Sequence, residues 1–126
     1  MTEMKLELVP IPVTDVDNSL AFYEKTVGFY LDHDVRPGNG MRIVQLTPPG
    51  SACSIVFGTG MGESGTPGSV KNLHLVVDNI SETHKQLASR GLKLSDIHDM
   101  GGVKYSYFSD LDGNSWALQE ITARSS

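Results

Sequence analysis

Apolar residues recur along the chain with two different periods, and each period occurs twice. A period of two is typical of a strand with one buried face, and it is followed first by Val9, Ile11 and Val13. A period of three to four residues is typical of a helix with one apolar face, and it is followed next by Val16, Leu20 and Tyr23. The first part of the chain is therefore predicted to contain a strand and then a helix.

The same strand and helix are predicted a second time, 64 positions later. This shift places the three strand residues on Leu73, Leu75 and Val77. It also places Asp15 on Asn79, and both residue types commonly cap the N-terminus of a helix. The two helices are expected to end at Gly28 and Gly91, because glycine readily adopts the left-handed conformation of a C-cap.

Each predicted helix is followed by a strand and a hairpin. At a shift of 63 positions, the turn Pro-Pro-Gly-Ser at 48–51 falls on the turn Leu-Asp-Gly-Asn at 111–114, and these residue types favour turns. Strand-like sequence flanks both turns, at 41–47 and 52–57 in the first copy and at 104–109 and 115–121 in the second. Both halves of the chain are therefore predicted to have the element order βαβββ.

The segment 58–69 separates the two copies. It is rich in glycine and small polar residues, which do not favour a regular element. We expect a single domain over residues 1–126, with a first module at about 4–58 and a second at about 70–123. The segment between them is interpreted as a linker or as a lid over a binding site.

The composition is that of a soluble globular domain with one core. There are 10 Lys and Arg residues against 15 Asp and Glu residues, so the formal net charge is -5. A nucleic-acid partner would require a basic surface, and we expect none.

Cys53 is the single cysteine and cannot form an intrachain disulfide. No apolar run approaches the roughly 20 residues of a membrane span, and the N-terminus does not resemble a signal peptide, so we expect a cytoplasmic protein that does not bind membranes.

Two short stretches add a resemblance to a known family. They are Val-Thr-Asp-Val-Asp-Asn-Ser-Leu-Ala-Phe-Tyr at 13–23 and Asp-Leu-Asp-Gly-Asn at 110–114. Together with the repeat, they resemble the vicinal oxygen chelate superfamily, which includes glyoxalase I, bleomycin-resistance proteins and extradiol dioxygenases. The resemblance covers nearly the whole chain. It implies an α+β fold in which two βαβββ modules form a curved eight-stranded mixed sheet around a cleft, and it implies a homodimer.

In the metal-dependent members of that superfamily, four side chains in the cleft bind one divalent cation. The resemblance places these positions seven residues before each helix cap and four residues after each turn glycine, and here they hold Leu8, Asn72, Ser54 and Ala117. Leu8 and Ala117 have no donor atom, whereas Ser54 and Asn72 are neutral donors that do not balance a divalent charge. We therefore expect no metal ion and no other cofactor.

Strand alternation predicts which further side chains share the cleft face. Residues two positions away from the four family positions include Val56, His74 and Gln119. The predicted turns would place Gln45 opposite Ser54 and Phe108 opposite Ala117. The predicted ligand-binding set is mixed apolar and polar: Leu8, Gln45, Ser54, Val56, Asn72, His74, Phe108, Ala117 and Gln119.

The run Asp32, His33 and Asp34 resembles a cluster of metal ligands. Because consecutive strand residues point to opposite faces, at best Asp32 and Asp34 share a face. We expect this run to lie at a solvent-exposed strand end rather than in a site.

The predicted cleft suits a small organic ligand with a few hydrogen-bonding groups. The first hypothesis is therefore a metal-free protein that binds such a molecule, with sequestration or resistance as its role. His74 supports a second hypothesis, a metal-independent lyase or isomerase in which this histidine is the catalytic acid or base. The third is a glyoxalase-like paralogue without activity, retained for regulation or dimerisation.

Overall fold

The computed structural model describes residues 2–62 and 65–121. In the first module the elements are β1 (Leu8–Pro10), α1 (Val16–Ala21, continued by a π-helical segment at Phe22–Val27), β2 (Tyr30–Gly38), β3 (Met41–Thr47) and β4 (Ser54–Thr59). In the second they are β5 (Leu73–Val76), α2 (Ile80–Ser89), β6 (His98–Asp99), β7 (Val103–Ser109) and β8 (Ser115–Ile121). Both modules thus have the predicted order βαβββ. No helix in the described part of the chain is long and apolar enough to cross a membrane.

Each module forms one four-stranded mixed sheet. The strand orders are β1-β4-β3-β2 and β5-β8-β7-β6. The pairs β1–β4 and β5–β8 are parallel, and the other pairs are antiparallel. The predicted α+β class and the repeated module are confirmed, but the eight strands form two separate hydrogen-bonded sheets rather than one continuous sheet.

The helices begin and end where the sequence predicts. The side chain of Asp15 accepts a hydrogen bond from Asn18 N at 2.9 Å, and that of Asn79 accepts one from Glu82 N at 3.0 Å. The π-helical segment after α1 ends at Gly28, whose φ of 94° lies in the left-handed region. These caps satisfy backbone groups that a helix end leaves unpaired.

The two hairpin registers differ from the prediction. Gln45 lies opposite Val56 and not opposite Ser54, because the β3–β4 connection is centred one residue later than expected. Phe108 lies opposite Trp116 and not opposite Ala117. A shift of two positions keeps Gln45 on its predicted face, whereas a shift of one moves Phe108 to the other face.

The two modules share one hydrophobic core. Tyr23, which follows α1 in the first module, contacts the rings of Phe29, Phe57 and Trp116 at centroid distances of 5.6, 5.9 and 5.9 Å. Phe108 stacks on Trp116 at 6.1 Å. All five rings are at most 4% exposed, so the helix-facing sides of both sheets pack against each other through aromatic side chains.

A buried hydrogen-bond network crosses this core. Tyr23 Oη donates to Asp110 Oδ2 at 2.7 Å and accepts from Trp116 Nε1 at 3.0 Å. Asn114 Nδ2 donates to Asp110 Oδ2 at 2.8 Å and to Pro12 O at 2.9 Å. Burial, and then the hydrogen bond to Asp110, raise the pKa of Tyr23 far above its usual value. The Asp-x-Asp-Gly-Asn motif therefore joins the two modules.

The described end of the linker lies against the same turn. Val70 N donates to Asn114 Oδ1 at 3.1 Å, and Lys71 Nζ donates to Gly113 O at 2.9 Å. At Gly68 a β-carbon would lie 2.3 Å from Asp112 O, so only glycine fits there. Glu63 and Ser64 lie outside the described residues, and the role of the segment as a lid stays a prediction.

We expect Tyr23→Phe to lower the free energy of unfolding by about 1–3 kcal/mol, because it removes the donor to the buried Asp110 carboxylate and the acceptor of Trp116 Nε1. Urea unfolding at neutral pH measures the change. The matched control is Tyr30→Phe, since the Tyr30 side chain is 72% exposed. Equal stability of the two variants would show that the network does not stabilise the junction.

Candidate functional site

Each sheet has a second face that points away from the shared core. We call these the first-module face and the second-module face. Cross-strand partners share a face, so the register assigns two rows of side chains to each. The first-module face has the rows Leu8, Ser54, Thr47 and Pro10, Val56, Gln45. The second-module face has the rows His74, Ala117, Tyr107 and Val76, Gln119, Tyr105.

The register also relocates one of the four family positions. β1 and β5 precede their helix caps equivalently, so Leu8 corresponds to Asn72. Leu8 pairs with Ser54, and Asn72 N donates to Ser115 Oγ at 2.8 Å on the matching strand of the second module. Ala117 lies two residues beyond Ser115 on the same face. Its equivalent in the first module is therefore the residue two beyond Ser54, which is Val56.

This relocation leaves a poorer set of metal donors. Leu8, Val56 and Ala117 carry no donor atom, and Asn72 offers only a neutral amide. The superfamily's cation would have nothing to neutralise its charge at these positions, so the residues present do not fit it. Among the described residues, no group of three His, Cys, Asp or Glu side chains is placed to hold a metal ion.

Both faces expose large apolar side chains. On the first-module face Leu8 is 37% exposed, and on the second Val76 is 61% and Tyr107 39% exposed. By contrast, Val56 and Ala117 are 4% and 0% exposed and form the floor of their faces. Apolar surface of this kind is typical of a ligand-binding or subunit-contacting surface.

Aromatic and amide groups line the second-module face around His74. The rings of Tyr105 and Tyr107 are parallel, with centroids 6.1 Å apart, and the His74 ring meets Tyr105 edge-on at 6.0 Å. Gln119 Nε2 donates to Tyr105 Oη at 3.2 Å. His74 Nδ1 lies 2.7 Å from the carbonyl oxygen of Asn72, and only a protonated nitrogen can bond there. Nδ1 therefore carries the proton in the neutral ring.

The first-module face contains a chain of hydroxyl groups that the sequence did not indicate. Thr47 Oγ1 donates to Asp32 Oδ2 and lies 2.6 Å from Ser54 Oγ. Asp32 lies two residues beyond Tyr30, the partner of Thr47, and the register shift between Leu31 and His33 then places Asp34 on the opposite face, across from Val44. Asp34 binds Arg42 instead, so Asp32 and Asp34 do not act together. A period-two pattern carries no signal for such a bulge.

The predicted ligand-binding residues are divided between cavities. A cavity of about 250 Å³ brings Ser54 and His74 together where the two modules meet. Asn72 lines a shallower pocket of about 500 Å³ beside Tyr107. Phe108 borders the same pocket, but it is 4% exposed and stacks on Trp116 in the core. The face residue opposite Ala117 is Tyr107. Sequence alternation would have identified Tyr107 had the pairing register been assigned one residue differently.

Arg42 is a buried cation whose charge is balanced within the first module. Its side chain is 9% exposed, and it donates two hydrogen bonds of 2.9 Å to Asp34 and one of 2.6 Å to Asp17. Hydrogen bonding to Arg42 is the main cause that lowers the pKa of Asp34. The two carboxylates in turn raise the pKa of Arg42. This group ties β3 to β2 and to α1, and it is structural.

The fold and the sequence together define a family. The model of the Glyoxalase/Bleomycin resistance protein/Dioxygenase superfamily matches residues 5–118. The chain belongs to this superfamily, as the motifs and the repeat predict.

Solved structures show the same fold over nearly the whole chain. An antibiotic binding protein, TnmS3, from Streptomyces sp. CB03234 is 30% identical with a TM-score of 0.84, and the match covers 96% of this chain and 98% of that one. A glyoxalase/bleomycin resistance protein from the same strain is 32% identical with a TM-score of 0.77, covering 90% and 98%. A member of the superfamily from Sphaerobacter thermophilus DSM 20745 is 29% identical with a TM-score of 0.79, covering 94% and 98%. No curated protein matches the chain in sequence.

We expect Asp34→Asn to lower the free energy of unfolding by about 1 kcal/mol at neutral pH, after allowance for partial exposure of the pair. The folded-state pKa of Asp34 lies below its ordinary value of 3.8. The stabilisation is therefore present above that value and is lost as the pH falls through the folded-state pKa. Denaturant unfolding from pH 7 to pH 3 should show the gap between wild type and variant closing in acid. A gap that is constant with pH, or equally present in the exposed control Asp96→Asn, would contradict this assignment.

Proposed function

We propose that this protein is a metal-free homodimer that binds a small organic molecule between its sheet faces and thereby sequesters it. The observation that carries the proposal is the content of the four family positions: Leu8, Val56 and Ala117 have no donor atom, and Asn72 has a neutral one. A cleft without metal donors can still bind an organic molecule through apolar contacts and hydrogen bonds. The cytoplasmic location stays a prediction from the sequence.

The exposed apolar side chains support a cleft that is completed by a second chain. Within one chain the modules pack through their helix-facing sides, which leaves the opposite faces uncovered. Tyr30, Val76 and Tyr107 are 72%, 61% and 39% exposed. Pairing with a second copy would cover this surface and enclose a ligand, and both changes are favourable because they remove apolar area from water.

The lining supports an organic ligand rather than a phosphate or another strong anion. The two rows of the second-module face are built from His74, Ala117, Tyr107, Val76, Gln119 and Tyr105. None of these rows contains Lys or Arg, which phosphate recognition ordinarily uses. Aromatic and aliphatic walls with a few amides are typical of sites for small organic ligands. The likeness to an antibiotic binding protein supports an antibiotic-like ligand and the role of sequestration.

One observation favours catalysis as a second candidate function. The carbonyl of Asn72 fixes the His74 ring, and its second nitrogen remains available, as general acid–base chemistry requires. If the protein is a lyase or isomerase, His74→Ala abolishes turnover of a bound ligand and leaves its affinity nearly unchanged. Sequestration instead predicts that the ligand is recovered intact from the wild-type protein.

For the metal-free proposal we expect purified protein to bind no stoichiometric Zn²⁺, Ni²⁺ or Mn²⁺ in calorimetric titration. Two matched quadruple variants test the positions themselves. Leu8→His, Val56→Glu, Asn72→His and Ala117→Glu together should create divalent-metal binding, whereas the same set with Ser54→Glu in place of Val56→Glu should bind more weakly. Melting curves with and without metal report folding of each variant. Stoichiometric metal in the wild type would overturn the proposal, and tighter binding by the Ser54 set would overturn the relocated position.

For ligand binding we expect at least one member of a panel of antibiotics and metabolites to raise the melting temperature of a protein that elutes at the dimer mass. At a hundred times its dissociation constant, a ligand stabilises the folded state by about 2.7 kcal/mol. Tyr107→Ala should reduce that stabilisation, because it removes an aromatic wall of the second-module face. Leu111→Ala is the control, since Leu111 is 63% exposed and lies in the β7–β8 turn. A panel without any stabilising compound would count against the proposal, and so would equal effects of the two variants.

A further inference from the structure

The cavity of about 250 Å³ between the modules has an unusual polar lining. Its polar side chains are Ser51, Cys53, Ser54 and His74, and the indole of Trp116 also borders it. Aliphatic side chains and Pro48 provide the rest of the wall. None of the described residues that line it is Asp, Glu, Lys or Arg. A molecule in this cavity would therefore meet hydrogen-bonding groups and apolar walls but no carboxylate, ammonium or guanidinium group.

The hydroxyl hydrogen of Ser54 is donated within the protein and not to the cavity. A carboxylate only accepts hydrogen bonds, so the hydroxyl hydrogen of Thr47 must be donated to Asp32. In the 2.6 Å contact between Thr47 Oγ1 and Ser54 Oγ the donor is then Ser54. Ser54 has no second hydrogen, and it presents only lone pairs to the cavity.

The hydroxyl of Ser51 and the thiol of Cys53 also donate their hydrogens within the protein. Ser51 Oγ donates to the carbonyl oxygen of Cys53 at 3.0 Å. The Cys53 thiol donates to the carbonyl oxygen of Ser54 at 3.7 Å, which is within the longer reach of a sulfur donor. Both side chains retain acceptor lone pairs only.

The two ring donors at the cavity are also occupied. His74 Nδ1 donates to the carbonyl oxygen of Asn72 at 2.7 Å, which leaves Nε2 of the neutral ring as an acceptor. Trp116 Nε1 donates to Tyr23 Oη at 3.0 Å. Each side-chain hydrogen at this cavity is thus directed into the protein.

From these bonds we infer that the cavity accepts hydrogen bonds and does not donate them through its side chains, and that it takes a compact, neutral, apolar molecule with an O–H or N–H donor. This rests on the proposed function, because Ser54 and His74 belong to the proposed ligand-binding set, and it names the chemistry of the ligand. Phenols and indoles fit the description. A molecule of the same shape with only acceptors would leave Ser54, which is 5% exposed, without a partner, and an unpaired buried polar group is costly. It would also displace water from His74 without replacing its hydrogen bond.

Indole and benzofuran test this polarity with one change of atom. The two molecules have the same shape, but the ring N–H of indole is a donor, whereas the ring oxygen of benzofuran is only an acceptor. We expect indole to bind the dimeric full chain roughly three- to tenfold more tightly, the range that one net hydrogen bond supplies. Titration calorimetry or amide chemical-shift perturbation measures both dissociation constants.

Two variants assign the preference to the relay. Ser54→Ala should weaken indole and leave benzofuran unchanged, because it removes the acceptor. Thr47→Val should strengthen benzofuran, because it frees the Ser54 hydrogen to turn toward the cavity. Thr59→Val is the matched control, since Thr59 is exposed and lies at the far end of β4, and it should leave both affinities unchanged.

The affinities of the wild-type protein for indole and benzofuran test the inference even if a variant does not fold. Benzofuran binding as tightly as indole would overturn the inference, and so would the absence of binding by both probes at millimolar concentration. An unchanged affinity ratio in a folded Ser54→Ala variant would also overturn it. If the antibiotic panel stabilises the protein while the two probes are not distinguished, the proposed function stands and only this inference fails.

Discussion

The orientation of the two modules depends on the hydrogen bonds among Tyr23, Asp110, Asn114 and Trp116 at the centre of the shared core. Burying a carboxylate, an amide and a phenol is unfavourable unless each is paired. Among the described residues, no buried side-chain nitrogen or oxygen lacks a partner. Because the network takes Tyr23 from one module and Asp110 from the other, its pairing requirements are met only when the modules are correctly placed. An apolar contact alone is less directional, so this network gives the junction its geometry.

The same junction between the modules determines which sheet faces remain free to bind a ligand. With the helix-facing sides occupied by aromatic packing, the opposite faces remain for binding, and the cavity that joins Ser54 to His74 lies where the modules meet. The buried cation Arg42 is paired with Asp34 and Asp17 within the first module. A negative net charge thus coexists with an uncharged cavity wall, since the charges are paired elsewhere or exposed on the surface.

Much of this fold is predictable from the sequence because its signals are local. The caps Asp15 and Asn79 and the period-two residues of β1 and β5 require only neighbouring residues. Register is not local in this sense. A pairing register shifted by one residue exchanges Phe108 for Tyr107 on the binding face, and both are aromatic, so periodicity cannot choose between them. The bulge that places Asp32 and Asp34 on opposite faces is hidden for the same reason. The positions of the helices and strands were therefore predictable from the sequence, whereas the cross-strand neighbours in the site were not.

This difference bears on how ligand preference evolves in such a fold. The polarity of Ser54 is set by Asp32, which acts on it only through Thr47. A substitution of Asp32 or Thr47 would release the Ser54 hydrogen without altering any residue that lines the cavity. Reversal of a single hydrogen bond exchanges a preference for donors with a preference for acceptors, at a free-energy difference of about 1 kcal/mol. Two members of this superfamily with identical cavity walls are therefore able to select different ligands, and the carboxylate–hydroxyl pair behind the wall is the feature that distinguishes them.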